Sequence, residues 1–323
     1  MIVQAVMVLV ALLLLWGRAL WAPVAMESGD HPAVLYGLVS GWLMPLPRLA
    51  VVIAMLLVLA EGVILNLLLA SVNLVSQNSL LPTLLYIIAM SAGAESLTPT
   101  ILVNAVCIIG MHYLLLRGTL LTIPAEKICG ATLMIGIASL FYQPVVVLIF
   151  SYLLIAANYR LYNWKDWCLM ILGFAIPYVL LVVVLYMTDG LAAWWDDTVA
   201  CFAMPLLQLG HTDGLGTIAA ILLATVLLWG LMTVLSHIGE RPVLWQKNAT
   251  TVILFTIGGL GIMIFSPLLP LQTACLAIPF SFVVYRLLAS ATEKSNGLGR
   301  RRKQHLWIYD LLLIVILIAA FVC

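Results

Sequence analysis

Charged side chains are scarce in this chain, and one short segment near its beginning gathers several of them. Glu27, Asp30 and His31 lie close together in a stretch rich in Ser, Gly and Pro, and Arg18 and Arg48 flank it. A carboxylate beside a membrane surface can act as a general base or bind a divalent cation, and an arginine can bind a phosphate through two parallel hydrogen bonds. The combination favours a lipid-phosphate substrate, with Asp30 and Glu27 as catalytic carboxylates. Arg18, Arg48 and His31 are the predicted substrate-binding residues. The alternative is that the segment is only a solvated turn, since Ser, Gly, Asp and Pro are ordinary turn residues.

A second polar segment, from Trp194 to Asp197, places two tryptophans before two carboxylates. Tryptophans are enriched at the membrane–water interface, and adjacent carboxylates repel each other unless they share a cation. We therefore predict that Asp196 and Asp197 also contribute to substrate binding. A divalent cation is the one cofactor that these acidic segments could hold. The alternative interpretation of Trp194–Asp197 is an interfacial helix with a solvated face.

One carboxyl group, that of Glu61, lies inside a long apolar segment. An ionisable group in hydrocarbon is a candidate for function. Helical periodicity places Asn66 and Asn73 on one face with Gly62 and Gln77, and Glu61 about 100° from Gly62. This polar face predicts that Glu61, Asn66 and Asn73 are intramembrane polar residues that line a cavity. Alternatively, the two asparagines hydrogen bond between helices.

The cysteines and most histidines do not indicate a metal site. The six cysteines include no Cys-x-x-Cys pair, so we interpret them as small apolar filling residues. The histidines outside the first polar segment are dispersed near the ends of apolar segments. We predict no dedicated metal site in the chain.

Composition places these residues in a membrane protein. Hydrophobic residues make up 65% of the 323 residues and charged residues only 8%, whereas soluble domains have about 25% charged residues. A soluble fold of this size could not hide so much apolar surface. The net charge of +1 indicates no acidic partner and no nucleic acid, and we predict one all-α integral membrane domain over residues 1–323.

Apolar segments of suitable length predict eleven transmembrane helices. The N-terminal segment lacks the basic residues of a signal peptide and is interpreted as the first span. A further segment, Ala33–Leu46, is predicted to be an interfacial or re-entrant helix, because glycines and prolines lie in or beside it. The predicted spans are Ile2–Trp16, Leu49–Val75, Ser79–Ala92, Thr100–Leu116, Ile128–Tyr142, Pro144–Ala157, Trp167–Met187, Leu215–Leu235, Ala249–Phe265, Leu271–Leu288 and Leu306–Val322.

The distribution of basic residues predicts the orientation. If Glu293–His305, the loop with the most basic residues, is cytoplasmic, alternation places 12 of the 14 Lys and Arg residues inside, as the positive-inside rule requires. The two exceptions are Arg18 and Arg48, and most loop carboxylates fall outside. We predict a cytoplasmic N-terminus and a C-terminus outside.

This orientation requires the uncharged segment Ile128–Asn158 to cross the membrane twice. The segment is interrupted at Tyr142-Gln143-Pro144, where Pro144 lacks a backbone N–H and disfavours helix in the residue before it. Each half has about 14–15 residues, which is short for the roughly 20 of a simple crossing. We predict a hairpin of two short helices rather than one kinked crossing, with Gly136 and Ser139 allowing close packing.

Several segments resemble a family of bacterial polytopic inner-membrane proteins that is catalogued as a domain of unknown function. The resemblance covers about residues 50–190 and implies a location in the bacterial inner membrane. Its segments include NSLLP, GIASLFYQP and NWKDW. The residues that carry it are Asn78, Asn104, Gly136, Ser139, Tyr142, Pro144, Asn163, Trp164, Trp167 and Pro177.

A looser resemblance connects the chain with membrane glycosyltransferases that use polyprenyl-phosphate-linked sugars. Those enzymes have a cytoplasmic N-terminus and an acidic first outer loop. Many carry a Gly-rich helix similar to Gly136–Pro144, followed by an aromatic, basic cytoplasmic turn. The first outer loop here is shorter and has no Asp-Glu or Asp-x-Asp pair. The resemblance implies a polyprenyl-phosphate-linked donor used in cell-envelope glycan assembly.

Three functions stay open at this point. The first is action on a lipid-phosphate-linked sugar at the outer face, with a membrane lipid as the partner, and a groove lined by Asp30, Arg48 and Asp196 would favour it. The second is a non-catalytic scaffold or assembly subunit, which a closely packed bundle would favour. The third is a small-solute transporter, which a cavity at Glu61 would favour. The protein partners are left open.

Overall fold

The computed structural model describes residues 2–23, 33–77, 79–91, 96–115, 123–161, 163–203, 214–265 and 276–296. These residues form α-helices and short 3-10 segments and include no strand, which confirms the all-α prediction. The helices are α1 (Ile2–Trp21), α2 (Val34–Leu43), α3 (Pro47–Ser71), α4 (Leu81–Ser91), α5 (Pro99–Leu114), α6 (Ala125–Phe141), α7 (Leu148–Asn158), α8 (Trp164–Met187), α9 (Leu191–Ala203), α10 (Gly214–His237), α11 (Val243–Phe265) and α12 (Ala277–Asn296).

Three of the described helices are long and apolar enough to cross a membrane: α1 from Gln4 onward, α3 and α8. Several of the others are shorter apolar helices. The interfacial segment predicted at Ala33–Leu46 is the short helix α2, and the second polar segment forms the helix α9. The last predicted span, Leu306–Val322, and the first part of Leu271–Leu288 lie outside the described residues.

The outer surface of the bundle is apolar. Helix α8 buries a narrow stripe that includes Gly173, Pro177 and Leu181, while its Leu180 is 63% exposed. On α3, Leu67 is 64% exposed. Large apolar side chains at this density are typical of a lipid-facing surface, because hydrocarbon solvates them and water does not.

Helices α6 and α8 pack side by side and run in the same direction. Thr132 of α6 lies against Gly173 of α8, and Gly136, further along α6, lies against Pro177, further along α8. A Cβ atom on Gly136 would meet the Pro177 Cγ atom at 3.0 Å. The small residue therefore allows the close approach of the two helices that the sequence predicts.

The segment between α6 and α8 folds back on itself. Met134 of α6 and Tyr152 of α7 both lie against Gly110 of α5, although they stand equally far before and after Gln143 in the chain. A continuous helix would separate them by about 27 Å. The break is a 3-10 segment, Gln143–Val147, preceded by an extended Tyr142 and containing Pro144. The segment is therefore a hairpin, as its two short halves predict.

Contacts between distant segments bring several elements to the end of the bundle where this break lies, which we call the break end. The Tyr36 hydroxyl of α2 donates a 3.0 Å hydrogen bond to the carbonyl of Leu97, just before α5, and α2 packs against α6. Gln143 Nε2 donates a 2.7 Å hydrogen bond to Thr198 Oγ1 of α9. Helix α2 and helix α9 therefore lie at the same end.

Basic residues gather at the opposite end, which we call the basic end. There the Lys247 ammonium lies 5.8 Å from the centre of the Tyr159 ring, and the Arg286 guanidinium lies 5.2 Å from the centre of the Trp245 ring. Helix starts and turns at this end carry basic residues that the sequence predicts to be cytoplasmic, namely Lys127, Arg160, Lys165, Arg241 and Lys247. Arg286, within α12, lies at the same end.

Helix α3 ends at Ser71, earlier than the Val75 that the sequence predicts, and this places Asn73 outside the helix. Asn73 has a left-handed backbone, with φ of 58°, and the N–H of Leu74 donates to the carbonyl of Leu69. This pattern is a Schellman cap, which asparagine tolerates at the left-handed position. Asn73 is therefore an exposed capping residue that lies beyond α3, two residues past the end of the candidate membrane span Pro47–Ser71. Arg160 and Asp189 cap α7 and α8 in the same way.

Candidate functional site

A groove of about 810 Å³ lies at the break end between α8 and α9. Helix α8 and its cap supply one wall, and α9 supplies the other. Its lining combines aromatic rings, aliphatic side chains and two carboxylates. The lining residues are Tyr178, Val182, Tyr186, Asp189, Leu191, Ala192, Trp194, Trp195 and Asp196.

Helical spacing explains why these residues of α8 form one wall of the groove. Tyr178, Val182 and Tyr186 are four residues apart, so they occupy one face of the helix, and Asp189 continues that line past the helix end. The Tyr178 ring packs 5.2 Å from the ring of Phe174, measured between ring centres. The preceding turn is fixed by Pro177, which packs against α6.

The cap at Asp189 directs the chain into α9. Asp189 has a left-handed backbone, with φ of 54°, and the Trp194 N–H donates to the carbonyl of Gly190. The rings of Trp194 and Trp195 stand 6.5 Å apart and tilted by 57°. The turn thus places both indoles and Asp196 opposite the tyrosines of α8.

Two hydrogen bonds connect the groove to the hairpin break. The Tyr178 hydroxyl donates to Ser139 Oγ at 2.8 Å. Thr198 Oγ1 accepts from Gln143 and donates to the carbonyl of Trp194 at 2.7 Å. Gln143 is buried, and its Oε1 atom has no hydrogen-bond partner among the described residues. These bonds attach both α8 and α9, the two walls of the groove, to the hairpin.

This arrangement suits an amphiphilic ligand with a hydroxyl-rich head. The faces of tryptophan and tyrosine rings offer flat apolar area at little cost in side-chain entropy. A carboxylate accepts charge-assisted hydrogen bonds from hydroxyl groups. Among the described residues, no three His, Cys, Asp or Glu side chains gather as metal ligands, so Asp189 and Asp196 are the acidic pair that the groove offers to a cation.

The structure brings together only part of the predicted site. Asp196 lines the groove, and Asp197, the next residue of α9, is exposed and outside its lining. Arg18 and Arg48 are exposed near the break end, and neither is a lining residue. Glu27, Asp30 and His31 lie outside the described residues.

The second polar centre lies about midway along α3. Glu61 is 3% exposed, and its Oε2 atom accepts a 2.6 Å hydrogen bond from the Tyr86 hydroxyl of α4. Its Oε1 atom has no hydrogen-bond partner among the described residues. The Asn66 side chain donates a 3.0 Å hydrogen bond to the carbonyl of Ser79, just before α4. Asn66 therefore connects α3 to the segment just before α4.

The remaining positions of the family resemblance are mostly structural. Asn104 is buried on α5 beside Met90 of α4, to whose sulfur it donates. Asn163 immediately precedes α8, where its carbonyl accepts the first-turn N–H of Asp166, and the Trp167 indole donates a 3.2 Å hydrogen bond to the carbonyl of Leu161.

Two of these positions need separate mention. Trp164 is 72% exposed at the start of α8, where an indole suits the membrane interface. Asn78 lies outside the described residues.

Several residues of these two sites are not identified as such by the sequence reasoning. The four-residue spacing of Tyr178, Val182 and Tyr186 before Asp189 could have revealed the groove wall. No local signal could have paired Tyr86 with Glu61, because that contact depends on how α4 packs on α3. No family model, characterised protein or solved structure matches this chain at a significant level.

Proposed function

We propose that this chain is an eleven-span protein of the bacterial inner membrane that binds a lipid-phosphate-linked sugar in the groove between α8 and α9. In this proposal it contributes to envelope glycan assembly at the outer face, as a polyprenyl-phosphate-dependent glycosyltransferase or a relative of one. The observation that carries the proposal is the combination of tyrosines, tryptophans and two carboxylates in one groove at the break end.

Each part of the groove has a role in this proposal. The Trp194 and Tyr186 rings stack on the faces of the sugar, and Asp196 accepts hydrogen bonds from its hydroxyl groups. Val182 and Leu191 contact the first part of the lipid chain. The groove thereby receives both halves of the donor.

In this proposal the reacting groups come from the first outer loop, which runs from Arg18 to Arg48. Glu27 and Asp30 act as base or cation ligands, and Arg18 and Arg48 bind the phosphate. Support comes from the position of α2, which the same loop contains. Helix α2 packs against α6, and Ser139 of α6 accepts a hydrogen bond from Tyr178, a lining residue of the groove. A divalent cation between the carboxylates would offset the charge of the phosphate.

The distribution of charged residues between the two ends of the bundle supports the proposed orientation of the protein in the membrane. The basic residues of the described turns gather at one end, and the groove carboxylates lie at the other. Under the positive-inside rule the basic end is cytoplasmic and the groove faces outward. The N-terminus is then cytoplasmic and the C-terminus lies outside.

The test is direct binding of a radiolabelled polyprenyl-phosphate-linked hexose to the purified chain in nanodiscs. We expect saturable binding that Asp196→Asn weakens by about one order of magnitude, because a charge-assisted hydrogen bond is worth about 1.5–3 kcal/mol. The matched control is Asp197→Asn, which changes the neighbouring exposed carboxylate outside the groove. If both variants and the wild type bind equally, or none binds, the proposed function fails.

A second candidate function, transport of a small solute, is supported by the buried Glu61 carboxyl with its unpartnered Oε1 atom. Uptake of a solute into proteoliposomes that Glu61→Gln abolishes, without lipid-sugar binding by the wild type, would favour this function. The close packing at glycines such as Gly136 supports the scaffold alternative. Normal complementation of a deletion strain by both Asp196→Asn and Glu61→Gln would favour it.

A further inference from the structure

The carboxyl group of Glu61 lies inside the bundle without a charged partner among the described residues. Its side chain is 3% exposed about midway along α3, and within the described part of the chain its hydrogen bond comes from the Tyr86 hydroxyl. Burial of an ionised carboxylate in hydrocarbon costs far more than burial of the neutral acid. The position of Glu61 therefore favours a carboxyl group that carries a proton.

The hydrogen bonds around Glu61 fit a neutral acid. The Tyr86 hydroxyl donates to Oε2 at 2.6 Å, and the Asn104 side chain of α5 bonds in turn to the Tyr86 hydroxyl. The Cys107 thiol of α5 also faces this pair and brings no positive charge. Since Oε2 accepts a hydrogen bond and Oε1 has no partner among the described residues, Oε1 is the oxygen that is left for a proton.

A row of polar groups runs from Glu61 along the interface of α3 and α4. Thr83 Oγ1 of α4 donates a 3.1 Å hydrogen bond to the carbonyl of Gly62, the next residue after Glu61. Asn66, about 7.5 Å further along α3, donates a 3.0 Å hydrogen bond to the carbonyl of Ser79. The Asn66 Oδ1 atom is buried and has no hydrogen-bond partner in the described part of the chain. The interface therefore holds two buried acceptors, on Glu61 and Asn66, with unmet hydrogen-bonding capacity.

This row reaches the surface at the basic end. Ser79 is half-buried, and its N–H donates a 3.2 Å hydrogen bond to the carbonyl of Ser76. Ser76 is exposed, and its own N–H donates a 3.0 Å hydrogen bond to the hydroxyl of Tyr285, the neighbour of Arg286 in the chain. The last member of the row is therefore in contact with water at the basic end.

The face of α3 between Glu61 and the break end is apolar. The buried residues one and two turns before Glu61 on this face are Val58 and Ala54. Helical spacing places them in line with Glu61. Polar access to the carboxyl group therefore comes from the basic end.

From this geometry we propose that Glu61 reversibly binds a proton inside the membrane, and that this proton exchanges with water at the basic end along the row of Thr83, Asn66, Ser79 and Ser76. In the step that releases it, the Oε1 proton passes to a water molecule as hydronium and leaves a carboxylate that keeps the Tyr86 bond. A buried water molecule needs polar partners, and the unmet acceptors supply them. The site is separate from the groove at the break end and independent of the function proposed for it.

The test is infrared spectroscopy of the full chain at neutral pH in a maltoside detergent, which has no carbonyl group of its own. We expect the wild type to show the carbonyl stretch of a protonated carboxyl group and Glu61→Gln to lose it. The matched control is Glu126→Gln, which removes an exposed carboxylate on α6 and should keep the band. Tyr86→Phe should move the band to higher frequency, because the Oε2 carbonyl loses its hydrogen-bond donor.

Exchange is measured on the same band after transfer to heavy water. In the wild type the band should move to lower frequency as deuterium replaces the proton. Asn66→Leu and Thr83→Val should each slow this change by about tenfold, because each removes one hydrogen-bonding position from the row. The matched control is Thr100→Val, which removes a buried hydroxyl of α5 outside the row and should leave the rate unchanged.

Three outcomes would overturn the proposal. A band that is missing from the wild type, or unchanged in Glu61→Gln, shows that Glu61 holds no proton. A band that stays unchanged in heavy water shows a proton that does not exchange. Equal exchange rates in Asn66→Leu, Thr83→Val and Thr100→Val show that the row is not the path. If Glu61→Gln is not monodisperse, the frequency change in Tyr86→Phe identifies the band instead, and its absence refutes the assignment to Glu61.

Discussion

The Tyr86 hydroxyl donates a 2.6 Å hydrogen bond to the Glu61 carboxyl, and this bond links α4 to the middle of the long apolar helix α3. The other carboxyl oxygen has no partner among the described residues. Gly62, the next residue of α3, permits the approach, since a Cβ atom there would meet Thr83 Cγ2 at 3.2 Å and Tyr86 Cδ1 at 3.3 Å. The pair is therefore a polar contact inside a tight helix interface, where the loss of one partner is costly.

We expect Tyr86→Phe to destabilise the protein by about 1–3 kcal/mol, because it leaves the buried Glu61 carboxyl without a donor. The double variant Tyr86→Phe, Glu61→Leu should regain much of this loss, since removing both polar partners can be nearly neutral. The measurement is the midpoint of thermal unfolding in detergent for both variants and for Glu61→Leu alone. A Tyr86→Phe protein as stable as the wild type would show that the bond contributes nothing.

At the α6–α8 contact we expect Gly136→Ala to cost about 1–3 kcal/mol of stability, as overpacking does. The added methyl group would meet the Phe174 carbonyl oxygen at 2.8 Å, and backbone cannot move aside as a side chain can. The matched control is Gly37→Ala in α2, where nothing lies within 4 Å of the added atom. That change should be neutral or stabilising by about 0.4–1 kcal/mol. Equal unfolding midpoints for the two variants would contradict the packing.

The cap of α3 predicts an asymmetry between two substitutions of one residue. Asn73→Ala should destabilise the protein by about 1 kcal/mol. Alanine is disfavoured at positive φ because it has a Cβ atom and lacks the polar side chain with which asparagine stabilises this conformation. Asn73→Gly should be neutral or stabilising, since glycine adopts this conformation freely. Thermal unfolding of the two variants checks the prediction, and a glycine variant less stable than the alanine variant would argue against the left-handed cap.

Orientation can be tested with single cysteines in a background without native cysteines. Asp197 at the break end and Lys165 at the basic end are both exposed. In intact cells a membrane-impermeant thiol reagent should label Asp197→Cys and should label Lys165→Cys only after the membrane is opened. The opposite pattern would place the groove in the cytoplasm and remove the proposed outer-face function.

The sequence by itself determined the membrane class, the positions of most helices and the hairpin. Each of these depends on local properties: the length of an apolar run, the missing N–H of Pro144, and the small side chain of Gly136. The same reasoning extended α3 to Val75, because apolar residues continue past Ser71. The left-handed Asn73 ended the helix instead, and a stop of this kind shows in the sequence only as one polar residue.

Only the tertiary structure decided which polar residues meet. Asp196 lines a groove and Asp197 does not, although they are neighbours of the same type in the sequence. The difference follows from the direction in which the cap at Asp189 sends α9. Likewise, Tyr86 meets Glu61 because α4 turns back onto α3. Helix packing sets such contacts through geometry that many residues share, so no short sequence pattern encodes them.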